Sequence, residues 1–231
     1  DILFIRLFVL LFVFYALTQQ VVASSLVIQE LTIQDTVYSV TFKNQLPPSG
    51  DKHDYYSLAP YWWPDSTKEN GLPYLRRDGQ RNPEAKELSD KKMLEKMATE
   101  VICLAKEYGI TNDKNSLNRA NQLLRVWFLD SATRMNPNLN FAQAVKGKFD
   151  GRGYGLIETR FFIPLLGAVD VLRRDSLFKQ QTYPELKQWF SQYLEWMENS
   201  ENGKKERAAK NNHGTWYTAQ YAYIAVFAGR K

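Results

Sequence analysis

The chain has 231 residues, of which 44% are hydrophobic and 24% charged, an ordinary balance for a folded soluble protein with a sizeable core. Its formal net charge is +5, yet the only basic runs are pairs such as Arg76-Arg77 and Lys204-Lys205, and no nucleic-acid-binding motif is present. Two histidines and one cysteine exclude an intrachain disulfide and leave few ligands for a transition metal, so neither a metal nor another cofactor is expected.

In chain order, Ile2 to Leu17 is almost continuously apolar, carries an early Arg6 and runs into Val21-Val22-Ala23. Residues 1–23 therefore read as a signal peptide, too short for a bilayer span, which predicts a periplasmic or secreted protein with no stable membrane insertion after cleavage. The start at Asp1 and the abrupt end at Lys231 suggest a fragment. Residues 24–46 read as extended chain or one or two short strands, ended by Pro47-Pro48. Residues 51–82 form a long loop too rich in aromatics for disorder: Tyr55, Tyr56, Tyr61, Trp62, Trp63 and Tyr74 alternate with proline and glycine.

Beyond Asn82-Pro83, which suits a helix start, apolar residues recur at three/four spacing. A first helix carries Leu94, Met97, Val101, Leu104, Ala105 and Tyr108 inward and is expected to stop at Gly109, with Cys103 a buried thiol. A second spans 116–129. A third spans 156–172, where Pro164 is expected to kink or divide it. A fourth begins near Pro184. A fifth begins near Asn211, with Trp216, Ala219, Tyr223, Ile224 and Phe227 inward. No βαβ rhythm and no fixed repeat appears, so the expected fold is all-α packing of helical hairpins.

Three stretches carry candidate chemistry. In Asn211 to Tyr217, His213 stands at a helix start, where backbone dipoles favour negative charge and an uncharged imidazole. Beside it Asn212 offers an amide to a carboxylate. That pairing suits β-elimination from a uronic acid: donors neutralise the carboxylate, a base removes the neighbouring C5 proton, and an acid protonates the leaving O4. The same residues also read as helix caps with His213 a surface residue. Tyr61, Trp62 and Trp63 read either as a satellite hydrophobic cluster or as a groove for sugar rings. Arg76, Arg77, Arg152 and Arg160 could hold carboxylates or simply be solvated. Gly151, Gly153 and Gly155 suggest a tightly turning backbone rather than a phosphate loop. Two other readings stay open: a hydrolase using carboxylates such as Asp150, Glu158 or Glu195, and a noncatalytic polysaccharide-binding module.

Several segments together resemble the alginate lyase family: Asp51 to Asp65 (DKHDYYSLAPYWWPD), Gly71 to Gly79, Asp130 to Asn140, Gly151 to Arg160 and, most specifically, Ala209 to Tyr217 (AKNNHGTWY). The resemblance spans residues 47–231. It implies an incomplete (α/α) toroid that cleaves alginate, or glucuronan, by β-elimination, acting on an acidic polysaccharide; a monomer is expected. It assigns Asn212 to neutralising the uronate and His213 to proton abstraction, and makes Trp216 and Tyr217 candidate substrate contacts. The family's catalytic tyrosine and an accompanying arginine would fall beyond Lys231.

Overall fold

The computed structural model describes residues 37–230. The expected signal peptide and the strands read into residues 24–36 lie outside them. Val40–Phe42, also read as strand, is a turn of 3-10 helix capped by the Ser39 hydroxyl.

Among the described residues seven α-helices follow in order: α1 (Ser89–Thr111), α2 (Lys114–Phe128), α3 (Phe162–Leu172), α4 (Ser176–Gln180), α5 (Thr182–Asn199), α6 (Glu201–Arg207) and α7 (Asn212–Ala228). The link between α1 and α2 is only two residues long, which forces a helical hairpin. Asn112 ends α1 by adopting a left-handed φ of 58°, so Gly109 lies inside the helix rather than stopping it. Asp113 then caps α2 by accepting from the Asn115 and Ser116 amides. Helix α1 packs on α2 and α3, and α5 packs on α7. Between them Phe128, Phe162, Trp189, Phe190 and Tyr193 form one cluster of mostly edge-to-face rings.

Three expectations about helices change. The span read as one helix over 156–172 is divided at Phe161/Phe162, so Pro164 lies not mid-helix but in the first turn of α3, where a missing N–H costs no intrahelical bond. The segment before it, Gly153–Phe161, is a nine-residue 3-10 helix, long for this geometry. On α7 the inward residues are Tyr217, Gln220, Ile224 and Phe227, whereas Tyr223 is 39% and Val226 80% exposed, so Ala219 and Tyr223 belong to an outward ridge. Cys103 is exposed, not buried.

The loop expected over residues 51–82 is ordered by four short strands: β1 (Tyr56–Leu58), β2 (Trp62–Trp63), β3 (Leu75–Arg76) and, from further along, β4 (Phe141–Ala144). β1 pairs in parallel with β4, and β2 pairs antiparallel with β3, setting Trp62 opposite Arg76. Asn82 caps a 3-10 turn at Pro83–Lys86, and α1 starts three residues later. No helix among the described residues is long and apolar enough to cross a membrane.

Candidate active site

A cavity of about 1060 Å³ opens between the strands, the start of α1, the 3-10 segment at Gly153–Phe161 and the start of α7. The 3-10 segment explains one wall. With three residues per turn, Tyr154, Ile157 and Arg160 fall on a single face, and all three line the cavity. Its other faces are buried. Gly155 allows this approach, since a Cβ there would lie 2.3 Å from that of Ala142. The glycines at 151, 153 and 155 thus serve close packing; none of them has a positive φ.

At the opposite end α7 delivers Asn212 and His213 to the cavity. The neighbouring asparagines divide their tasks. Asn211 is the cap, its side chain accepting from the His213 amide at 3.0 Å. Asn212 is exposed, and its carboxamide has no hydrogen-bond partner among the described residues. The His213 Nδ1 lies 2.6 Å from Glu206 Oε1 on α6, and its ring meets Tyr154 edge-on at 4.5 Å between centroids. With Nδ1 engaged, Nε2 is the nitrogen left for a ligand. Glu206 is buried, which raises its pKa, while the hydrogen bond and charge of His213 oppose that rise. Gly214 makes the contact possible: a Cβ there would sit 2.0 Å from the Ala209 carbonyl oxygen, so only glycine lets the α6–α7 link fold against the helix start.

A second carboxylate, Glu158, lies 2% exposed at the cavity floor. Tyr55 and Ser57 donate their hydroxyls to it at 3.0 and 2.7 Å, the Gln143 amide reaches it at 3.4 Å, and Lys91 stands 3.7 Å away. Burial raises its pKa against these partners. Above it Arg152 is half-buried, with its guanidinium 4.9 Å from the Tyr154 ring centroid and 5.6 Å from that of Trp62.

The cavity is strongly cationic. Arg76, Arg81, Lys86, Lys91 and Lys92 contribute from one stretch, and Arg152 and Arg160 from another. Against them stand Asp78, paired with Arg76 at 2.8 Å, Glu95 and the buried Glu158. Such a field attracts a polyanion.

Of the residues singled out from sequence, Asn212, His213, Tyr61, Trp62, Arg76, Arg152, Arg160 and Trp216 line the cavity together. Three do not. Trp63 donates its indole N–H to the Gln80 carbonyl and carries Arg77 over its ring at 5.4 Å, so these two hold one another away from the cavity. Tyr217 is buried, its hydroxyl donating to the Met197 carbonyl at 3.1 Å. Trp62 lines the cavity, but Lys148 and Arg152 lie within 4.9 and 5.6 Å of its ring centroid, so it serves as a platform for cations. Of the carboxylates considered for hydrolysis only Glu158 reaches the cavity, while Glu195 pairs with Arg230 at 2.7 Å. Glu206 and Gln143 were not among the residues singled out from sequence, and Tyr154 stood in the Gly151–Gly155 stretch without a role of its own. Glu206 belongs to a charge-rich run, and its one signal was its place three residues after Gly203, on the buried face of a single short helix.

Fold and cavity together define a helical protein of the (α/α) toroid class with a cationic, aromatic-walled cleft. The alginate lyase family profile matches residues 39–231. Among solved structures, the crystal structure of an alginate lyase from Bacteroides ovatus superposes with a TM-score of 0.81 and 39% identity, over 90% of this chain and 55% of that one. The chain therefore spans about half the length of that relative. A search of the curated proteins found no match. The chain belongs to the alginate lyase family.

Proposed function

We propose that the protein is a polysaccharide lyase that cleaves a uronic-acid polymer such as alginate by β-elimination, leaving an unsaturated uronate. The single observation that carries this reading is the adjacency of an unpartnered amide, Asn212, and an imidazole whose second nitrogen is fixed by Glu206, both at a cationic cavity. The C5 proton of a uronate is weakly acidic because the ionised carboxylate resists further negative charge. The Asn212 N–H groups offset that charge as it spreads into the carboxylate in the transition state, while the Arg152 guanidinium holds the carboxylate in ground state and transition state alike. His213, donating Nδ1–H to Glu206, accepts the C5 proton at Nε2. The C4–O4 bond then breaks as the C4–C5 double bond forms, and O4 takes up a proton from a general acid or from water. Trp216 supplies a ring face for a neighbouring sugar, while Tyr61, like Trp62, carries a guanidinium over its ring, that of Arg81 at 5.6 Å.

The test is ultraviolet absorbance of the unsaturated uronate, followed with the complete natural protein on alginate and on polyglucuronate. A steady rise that His213→Ala abolishes is expected; a rise undiminished in that variant removes His213 from the chemistry, and affinity without turnover would make the protein a binding module. The apolar leader at residues 1–23 supports export, testable by sequencing the N-terminus of the protein recovered outside the cytoplasm.

A further inference from the structure

β4 carries an irregularity at the cavity floor. Tyr56 pairs with Phe141 and Leu58 with Ala144, so two steps along β1 span three along β4, and the strand bulges. Within the bulge Gln143 adopts a left-handed φ of 49°, unusual for a residue with a long side chain. Its backbone N–H donates to the Ser57 hydroxyl at 2.8 Å, and Ser57 in turn donates to Glu158, so the strained backbone is pinned to the buried carboxylate. The Gln143 side chain, 9% exposed, spans the gap above. Its amide N–H points to Glu158, which fixes the amide's orientation, and its oxygen accepts from Arg152 Nη2 at 3.1 Å. The Gln143 backbone carbonyl accepts from Arg152 Nε at 3.1 Å. One residue thus grips two of the five N–H donors of a guanidinium and leaves the others for the cavity. No carboxylate among the described residues forms an ion pair with Arg152, although it is half-buried, so the fork is held ready for an anion supplied from outside.

We propose that Gln143 is the positioning residue that presets Arg152 for a uronate carboxylate, so that the recognition of acidic sugar is set by the β4 bulge. The inference rests on the uronate reading of the cavity. Without the amide, Arg152 keeps its charge but loses one of the two bonds that orient it, and the cost falls on binding.

The bulge also separates this role from a purely structural one. Glycine accepts a φ of 49° without strain, so Gln143→Gly relaxes the backbone while removing the amide. In the complete natural protein, Gln143→Gly is expected to raise KM for alginate, and Kd for a mannuronate tetrasaccharide by calorimetry, about tenfold, the loss of one charge-assisted hydrogen bond. The kcat should stay within about twofold and Tm should not fall. Should glycine loosen the strand, Gln143→Asn, which also tolerates the left-handed region but brings its amide short of Arg152, gives the same reading. In an Arg152→Ala background the substitution should add nothing. Unchanged affinity in both single variants, or an undiminished effect in that background, overturns the proposal. A wild type that binds the tetrasaccharide without generating absorbance sinks the lyase reading and leaves the cycle readable in Kd alone. One that turns over while the cycle is additive sinks the Gln143 role alone, and one that does not bind the tetrasaccharide overturns both.

Discussion

Glu206 and His213 lie seven residues apart on two different helices, yet a carboxylate oxygen of one stands 2.6 Å from Nδ1 of the other, with both side chains mostly shielded from water. This geometry fixes which imidazole nitrogen holds a proton and steadies the ring when it becomes charged. Glu206→Ala should therefore lower kcat by at least about tenfold, within the ~10⁴ limit associated with a misoriented catalytic imidazole. KM should change less, because Glu206 itself need not touch the sugar. Steady-state kinetics on alginate decide this, and equal kcat in wild type and variant would disconnect the dyad from catalysis.

Gly214 is expected to be intolerant for a steric reason. Alanine there would press its Cβ to 2.0 Å from the Ala209 carbonyl oxygen, which is backbone and cannot swing aside. Gly214→Ala should cost about 1–3 kcal/mol, as overpacking does, and reduce activity beyond the stability loss by moving His213 off Glu206. Denaturant unfolding and turnover measured together test both halves. An alanine variant with native stability would mean that the α6–α7 link yields easily.

Glu158 gives a prediction about pH. Its folded pKa is raised above the ordinary 4.5 by burial, so the folded state holds its proton more tightly than the unfolded state. By linkage, stability from this group is fully present below pH 4.5 and declines as pH rises from there through the raised folded value. Glutamine cannot ionise, so Glu158→Gln should flatten this decline. Tm measured across that interval should fall less steeply in the variant than in wild type. Parallel profiles would mean that Lys91 and the donated hydroxyls already compensate the buried charge.

Tyr217 tests the division between core and cleft. Its hydroxyl donates to the Met197 carbonyl and not to the cavity. Tyr217→Phe should lower stability by about 1 kcal/mol, leaving a buried carbonyl short of a partner, with KM unchanged. A raised KM at constant stability would return the residue to the substrate groove.

The helical hairpins were legible because their packing follows a 3.6-residue period that the chain states locally: Leu94, Met97 and Val101 on α1 face the core as their spacing implies. The Asn212–His213 pair was legible for a similar reason, since cap and first turn are adjacent in sequence. What stayed hidden depends on contacts between distant segments. Nothing near Gln143 announces a bulge, because the bulge is a mismatch with Tyr56–Leu58, more than eighty residues earlier. The 3-10 segment looked like the start of an α-helix because Ile157, Phe161 and Leu165 recur every four residues, while the close approach of Gly155 to Ala142 is a contact with a distant segment. Trp62 and Trp63 read alike in sequence; the β2–β3 pairing turns them to different neighbours, one to the cavity and one to Arg77.

The outward ridge on α7, where Val226 is 80% exposed beside Ala219, Ala222 and Tyr223, has a practical cost. Water-facing apolar rows favour self-association when the polypeptide is concentrated. Dye that fluoresces on greasy surfaces should bind these 231 residues prepared alone, and Val226→Lys, by planting a charge mid-row, should suppress both the signal and the clumping without disturbing chemistry at the opposite end of the helix.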